Sequence, residues 1–166
     1  MGDAFLRPFR HRDDGTIAVQ LSGTERQLLS SLLGELRERL DDDGEGLTEP
    51  GFERLFPVVH PEDPDAEAEW ARLVHDELRQ SQVASADLVT DTLQAETVTA
   101  DQLGAWLQSI NALRLVLGTR IGVEEDREAF DPDAPDAPAW IAYDWLTQLC
   151  DGAVQALRPS LPDELG

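Results

Sequence analysis

Among its 166 residues the chain has no lysine, one cysteine, one methionine and one tyrosine. The single cysteine, Cys150, excludes an intramolecular disulfide and any cysteine-based metal cage. The apolar stretches are broken by polar residues well short of the ~20 that a membrane-spanning helix needs, and the N-terminus lacks the basic-then-apolar order of a signal peptide. The sequence therefore reads as cytoplasmic, with no membrane partner. His11, His60 and His75 fit no His-x3-His or His-Glu-x-x-His spacing, and there is no Cys-x2-Cys pair. A glycine-rich phosphate loop and a Gly-x-Ser-x-Gly nucleophile elbow are missing too. These absences lead us to expect no metal, no cofactor and no enzymatic activity.

Acid is abundant. Thirty-four aspartates and glutamates face thirteen arginines, a formal charge of −21. The excess is not a tail: residues 1–83 carry nineteen acids against nine arginines (−10), and residues 84–166 carry fifteen against four (−11). Such a chain repels phosphate, and no Lys/Arg stripe is present to release counterions from DNA, so direct nucleic-acid contact is not expected. An acidic body remains soluble and can steer a basic protein partner. The local exception is the N-terminus, where Arg7, Arg10 and Arg12 flank His11; we take these arginines as partner-binding candidates.

Length and a 41% hydrophobic fraction fit one domain over residues 1–166. Phe5/Arg7/Phe9 and Ile17/Val19/Leu21 alternate on either side of Asp13-Asp14-Gly15, which predicts a β-hairpin over residues 1–21, with Pro8 at an edge. Ser22 with Glu25 forms a capping-box pattern before Leu28, Leu29, Leu32, Leu33, Leu36 and Leu40, the first helix. Residues 41–65 read as an acidic loop around Leu55-Phe56-Pro57-Val58. Trp70, Leu73, Val74 and Leu78 mark a second helix over about 65–81, and Leu88, Val89 and Leu93 a third, entered near Ser85. Thr99 with Gln102 opens a fourth, whose apolar residues cover so much of its circumference that it should be central. After an acidic, proline-rich connector at 124–138, a last helix carries Trp145, Leu146, Leu149, Cys150 and Ala153 on one face. The expected fold is mainly α, a compact bundle of about five helices over residues 22–158 with an N-terminal β-hairpin.

Within this frame a few residues stand out. Arg114 falls near the centre of the fourth helix's apolar face, and Glu77 sits equally centrally on the second, which predicts a buried ion pair docking the two helices. The alternative is an anion-binding pocket in which Arg114 and Asn111, three apart on one face, hold a ligand carboxylate or phosphate. Cys150 is expected to pack inertly, with a redox-sensing thiol as the competing role. Trp140 lies off the core stripe beside Tyr143, so the two are partner-binding candidates, unless Trp140 folds over the connector or the hairpin.

The run from Trp106 to Gly122 (Trp-Leu-Gln-Ser-Ile-Asn-Ala-Leu-Arg-Leu-Val-Leu-Gly-Thr-Arg-Ile-Gly), followed by Tyr143-Asp144-Trp145-Leu146-Thr147 and preceded by Leu55-Phe56-Pro57, resembles an actinobacterial family of proteins of unknown function. That family includes the oxidative-stress-responsive transcription regulator AosR, and its members are commonly encoded beside a ClpS-type protease adaptor. The resemblance implies a cytoplasmic regulatory protein acting in stress response, transcription or proteostasis through a protein partner, such as a sigma factor, another DNA-binding protein or a protease adaptor. Cys150 has no second thiol, so a disulfide switch within the chain is not implied. A structural homodimer, joined through hairpin edges or the Trp140 surface, is the remaining alternative.

Overall fold

The turn at Asp13-Asp14-Gly15 forms as its composition dictates. Gly15 takes φ +89°, a conformation that favours glycine, and Asp14 Oδ1 accepts hydrogen bonds from the Thr16 N–H at 2.9 Å and the Thr16 hydroxyl at 2.6 Å. The computed structural model describes residues 7–41, 62–122, 133 and 135–158, with the side chains of 41 and 71–75 excepted. Their elements are β1 (Phe9–His11), β2 (Ile17–Val19), α1 (Gly23–Asp41), α2 (Pro64–Thr92), β3 (Thr97–Val98), α3 (Ala100–Ile121) and α4 (Ala137–Leu157). The chain is mainly helical with an N-terminal antiparallel sheet, the expected class. The apolar anchor at 55–58 and His60 lie outside the described residues.

β2 is the middle strand of a three-stranded sheet, pairing Phe9 with Val19 and His11 with Ile17 on one side, and Ile17 with Val98 on the other. All three β2 residues are therefore buried. β3 is an addition to the expected hairpin: the β-branched run Thr97-Val98-Thr99 favours extended backbone, but two paired residues are too few to show a period.

Both capping boxes form. The Ser22 N–H donates to Glu25 Oε1 and the Glu25 N–H to Ser22 Oγ, each at 3.1 Å. The Thr99 N–H reaches Gln102 Oε1 at 2.9 Å, and the Gln102 N–H reaches Thr99 Oγ1 at 3.1 Å. α3 closes on Gly122 in the left-handed region at φ 70°. At the start of α2, Asp63 Oδ1 accepts from the Asp65 and Ala66 amides at 3.2 Å, with Pro64 in the first turn, where its missing N–H costs nothing.

One correction concerns the second and third expected helices, which are a single 29-residue helix, α2. Ser85 does not cap a new start. It is buried, and its hydroxyl donates to Gln108 Oε1 of α3 at 2.8 Å, while Gln108 Nε2 donates to Ser81 Oγ at 3.2 Å. The polar Gln80-Ser81-Gln82 stretch thus faces α3 in part, and no glycine or proline interrupts it.

α3 packs on α4, α2 and α1, as its apolar circumference implied. Trp106 on α3 is fully buried; its indole N–H donates to Thr92 Oγ1 at 2.7 Å, and Phe9 of β1 meets it edge to face at 5.9 Å. One continuous buried cluster draws on the hairpin and on α1, α2, α3 and α4. Arg37 of α1 bridges to Asp87 of α2 at 2.9 Å. Arg26, in the first turn of α1, spends its guanidinium on backbone carbonyls: Nη2 on Val19 at 3.1 Å, Nε on Leu21 at 3.2 Å, and Nη1 on Leu93 and, at 3.1 Å, on Ala95.

β1 approaches α4 so closely at Gly152 that a Cβ there would lie 2.8 Å from Pro8 Cγ. Gly152→Ala is expected to destabilise the protein by about 1–3 kcal/mol, the range for overpacking a filled contact. Pro8→Ala should recover part of that loss in a double-mutant cycle read by urea unfolding; strictly additive effects would show that the two do not collide.

The Glu25 carboxylate also accepts from the Trp145 indole N–H at 2.9 Å, which ties α4 to the start of α1. Burial opposes its ionisation, but contacts from the Ser22 amide, the Trp145 indole, the Ser22 hydroxyl and the nearby Arg26 charge outweigh burial and hold its pKa below the ordinary value. A lowered folded pKa means stability that is full above the unfolded value, ~4.3, and lost as pH falls through the folded one. The stability gap between wild type and Glu25→Gln should therefore narrow as pH drops below that range; a gap constant with pH would contradict this role.

Candidate functional site

The seam between α3 and α4 holds three of the residues singled out from sequence. Arg114 is half-buried, and its Nη2 donates to Asn111 Oδ1 at 2.8 Å, a contact at i,i+3 along α3. Its Nε is buried with no hydrogen-bond acceptor among the described residues. Cys150 on α4 is buried at 7% exposure, within reach of the Arg114 charge. Burial pushes the Cys150 thiol pKa up; the Arg114 charge offsets this in part, and Asp151 adds to it. No basic residue lies close to Cys150 in sequence, so Arg114 becomes its neighbour only through the packing of α3 on α4.

Glu77 does not join this group, which corrects the expected ion pair: it is exposed on α2, while Arg114 bonds to Asn111. The reason is the continuity of α2. Its inward face is set by Ala86, Val89 and Leu93, and at ~100° per residue Glu77 lies about 180° around the axis from Ala86. Only in a helix running unbroken through Ser85 is Glu77 tied to that phase.

An apolar pocket opens elsewhere, between α1, α3 and α4. Leu32, Leu36, Leu113, Val116, Leu117 and Leu146 line it, with Glu35, Arg39 and Arg120 as its polar walls. Neither Asn111 nor Arg114 lines it. Among the described residues no three potential metal ligands converge, and no helix is long and apolar enough to cross a membrane.

Trp140 is half-buried rather than a free anchor. Its indole N–H donates to Asp136 Oδ2 at 3.1 Å, and its ring meets Tyr143 edge to face at 6.4 Å. It thus folds back on the end of the connector, and the apolar side chain most open to solvent in this turn is Ile141, 60% exposed.

The hairpin keeps its basic character. Arg7, Arg10, His11 and Arg12 are all exposed. Arg7, Arg10 and His11 line a cleft against Gly152, Gln155 and Ala156 of α4, and Arg10, His11 and Arg12 border a second hollow across the turn. The opposite charge gathers on α2, where Asp65, Glu69, Asp76, Asp87 and Asp91 are exposed and fall within about 80° of one another around the axis. That ridge runs about 40 Å, the length of the helix. Neither the ridge nor the importance of Arg26 is evident without the phase and packing of the helices.

A buried thiol with a raised pKa should resist modification. Native Cys150 is expected to react with a soluble thiol reagent at least about tenfold more slowly than the unfolded chain at neutral pH, with the rate climbing as pH is raised. Equal native and unfolded rates would show that the thiol is open.

No curated protein and no solved structure matches the chain significantly. A family model does, over residues 6–157, which takes in the sheet, α1 to α4 and both the basic and acidic surfaces described above. By that match the chain belongs to the family defined by the domain of unknown function DUF2017.

Proposed function

We propose that this protein is a regulatory protein-interaction module, acting in stress response, transcription or proteostasis through a protein partner and without touching DNA itself. The observation that carries the reading is the acidic ridge of α2, five exposed carboxylates along one helix face in a chain of net −21. Exposed carboxylates spaced along one helix face, of which Asp76 and Asp87 are also met by Arg79 and Arg37, favour encounter with a basic surface and repel nucleic acid. The resemblance of the central helix run to the stress-regulator family points to the cellular setting: a sigma factor, another DNA-binding protein or a protease adaptor.

The test is capture of partners from an actinobacterial lysate at low and high salt, using the wild type and a variant with Asp65, Glu69, Asp76 and Asp91 changed to amides. Recovery of a basic regulatory component, lost both at high salt and with the variant, is the expected result. A partner retained under both conditions would overturn the ridge as its site.

One observation favours a second reading, a small anionic ligand at Arg114: the buried Nε without an acceptor. In that case an anionic metabolite should raise the melting temperature, and Arg114→Ala should abolish the rise.

A further inference from the structure

We propose that the outer edge of β1 is a docking site for an acidic, extended segment of another protein, which adds to the sheet as a fourth strand alongside Arg7, Arg10 and Arg12. This goes beyond the function proposed above, which concerns the acidic ridge of α2 and a basic partner, and it is tested separately.

The register leaves the edge able to pair. The Gln20 N–H donates to the Pro8 carbonyl at 2.7 Å and the Arg12 N–H to the Thr16 carbonyl at 2.8 Å. In an antiparallel pair the bonded positions alternate, so Pro8, Arg10 and Arg12 direct their backbone groups to β2, while Arg7, Phe9 and His11 direct theirs outward. Proline blunts an edge when its missing N–H lies on the outer side. Here Pro8 falls in the inward register, and the outer donors at positions 7, 9 and 11 are intact. Sheet order is β1-β2-β3, so among the described residues no strand pairs with that side, and α4 flanks β1 across the cleft at Gly152, Gln155 and Ala156. Such an edge is a template for main-chain pairing.

Charge selects the occupant. In this acidic chain several arginines of the helical body find acceptors: Arg26 takes carbonyls, Arg37 takes Asp87, Arg79 takes Asp76 and the Leu40 carbonyl, and Arg114 takes Asn111. The Arg7 and Arg10 side chains have no hydrogen bond or ion pair among the described residues, and that of Arg12 lies only in the field of Asp14. An added strand sets its side chains opposite Arg10 and Arg12 on one face of the sheet and opposite Arg7 and His11 on the other, where carboxylates pair well and arginines do not. A second copy adding through its own β1 brings arginine against arginine, which disfavours self-pairing. The net charge of −21 repels acid at long range, but at physiological ionic strength the field is screened within ~8 Å, so the local arginines decide.

The probe is a fluorescein-labelled peptide of about eight alternating glutamates and valines, long enough to span the edge, titrated with the full chain at physiological ionic strength and read by anisotropy. It is expected to bind at least about tenfold more tightly than its lysine-valine counterpart. Arg10→Glu should weaken it by a similar factor, with an unchanged circular-dichroism spectrum and melting curve. Arg7→Gln, at the other end of the cleft, should weaken it less and serves if Arg10→Glu fails to fold. N-methylation of alternate peptide amides should abolish binding in one register and spare it in the other. The proposal is overturned by the lysine peptide binding as well, by both N-methylated peptides binding like the parent, or by a single-stranded oligonucleotide displacing the peptide. A concentration-dependent dimer lost with Arg10→Glu would assign the edge to a second copy and overturn it as well.

Discussion

The fold depends on one guanidinium. Arg26 projects from the first turn of α1 and donates to four backbone carbonyls, Val19 and Leu21 at the exit of β2, Leu93 at the end of α2, and Ala95 in the turn that leads to β3. Each of those carbonyls belongs to a place where regular structure ends and its own hydrogen bonding runs out. α2 has no basic residue in its last turn, although a helix C-terminus carries partial negative charge; Arg26 supplies that charge from a different helix. Arginine's planar fork allows this, since one side chain presents five donors in a fixed geometry that lysine lacks.

Around that joint the other long-range ties follow. Glu25, the neighbouring residue, closes the capping box of α1 and accepts from Trp145, so the turn that grips the sheet and α2 also grips α4. Trp106 is pinned from two directions, by Thr92 through its indole N–H and by Phe9 against its ring. The hairpin is therefore held on the helical body by its buried face while its arginines stay exposed, Arg7 and Arg10 bordering the cleft against α4. That division lets one small molecule present two surfaces of opposite sign, an acidic ridge along α2 and a basic rim on β1.

Much of the architecture was legible because it rests on local chemistry. Two capping boxes, a glycine turn and the leucine spacing of α1 each act within a few residues, and all appear as read. What escaped depends on partners distant in sequence. Ser85 looks like a helix start in one dimension and proves to be a buried donor to Gln108. Glu77 looked central only while its helix was thought to end early. Arg26 carried no signal at all, since an arginine in the first turn of an amphipathic helix reads as a solvated charge until the carbonyls it meets are known. The candidate site fared similarly: Arg114 and Asn111 do bond, but the companion the fold brings to them is Cys150, and the Trp140 side chain turns back on Asp136.

If Arg26 is the joint, its loss should loosen the parts it connects together. Hydrogen exchange of Arg26→Met against the wild type tests this most directly, by following the Val19 amide, which donates to the Glu96 carbonyl at 2.9 Å, together with the β3 amides and the last turn of α2. A common drop in protection of about tenfold or more across all three, with the middle of α3 less affected, is the expected pattern. A loss confined to residues 93–95, with the β2–β3 pairing as protected as before, would contradict the central role of that side chain.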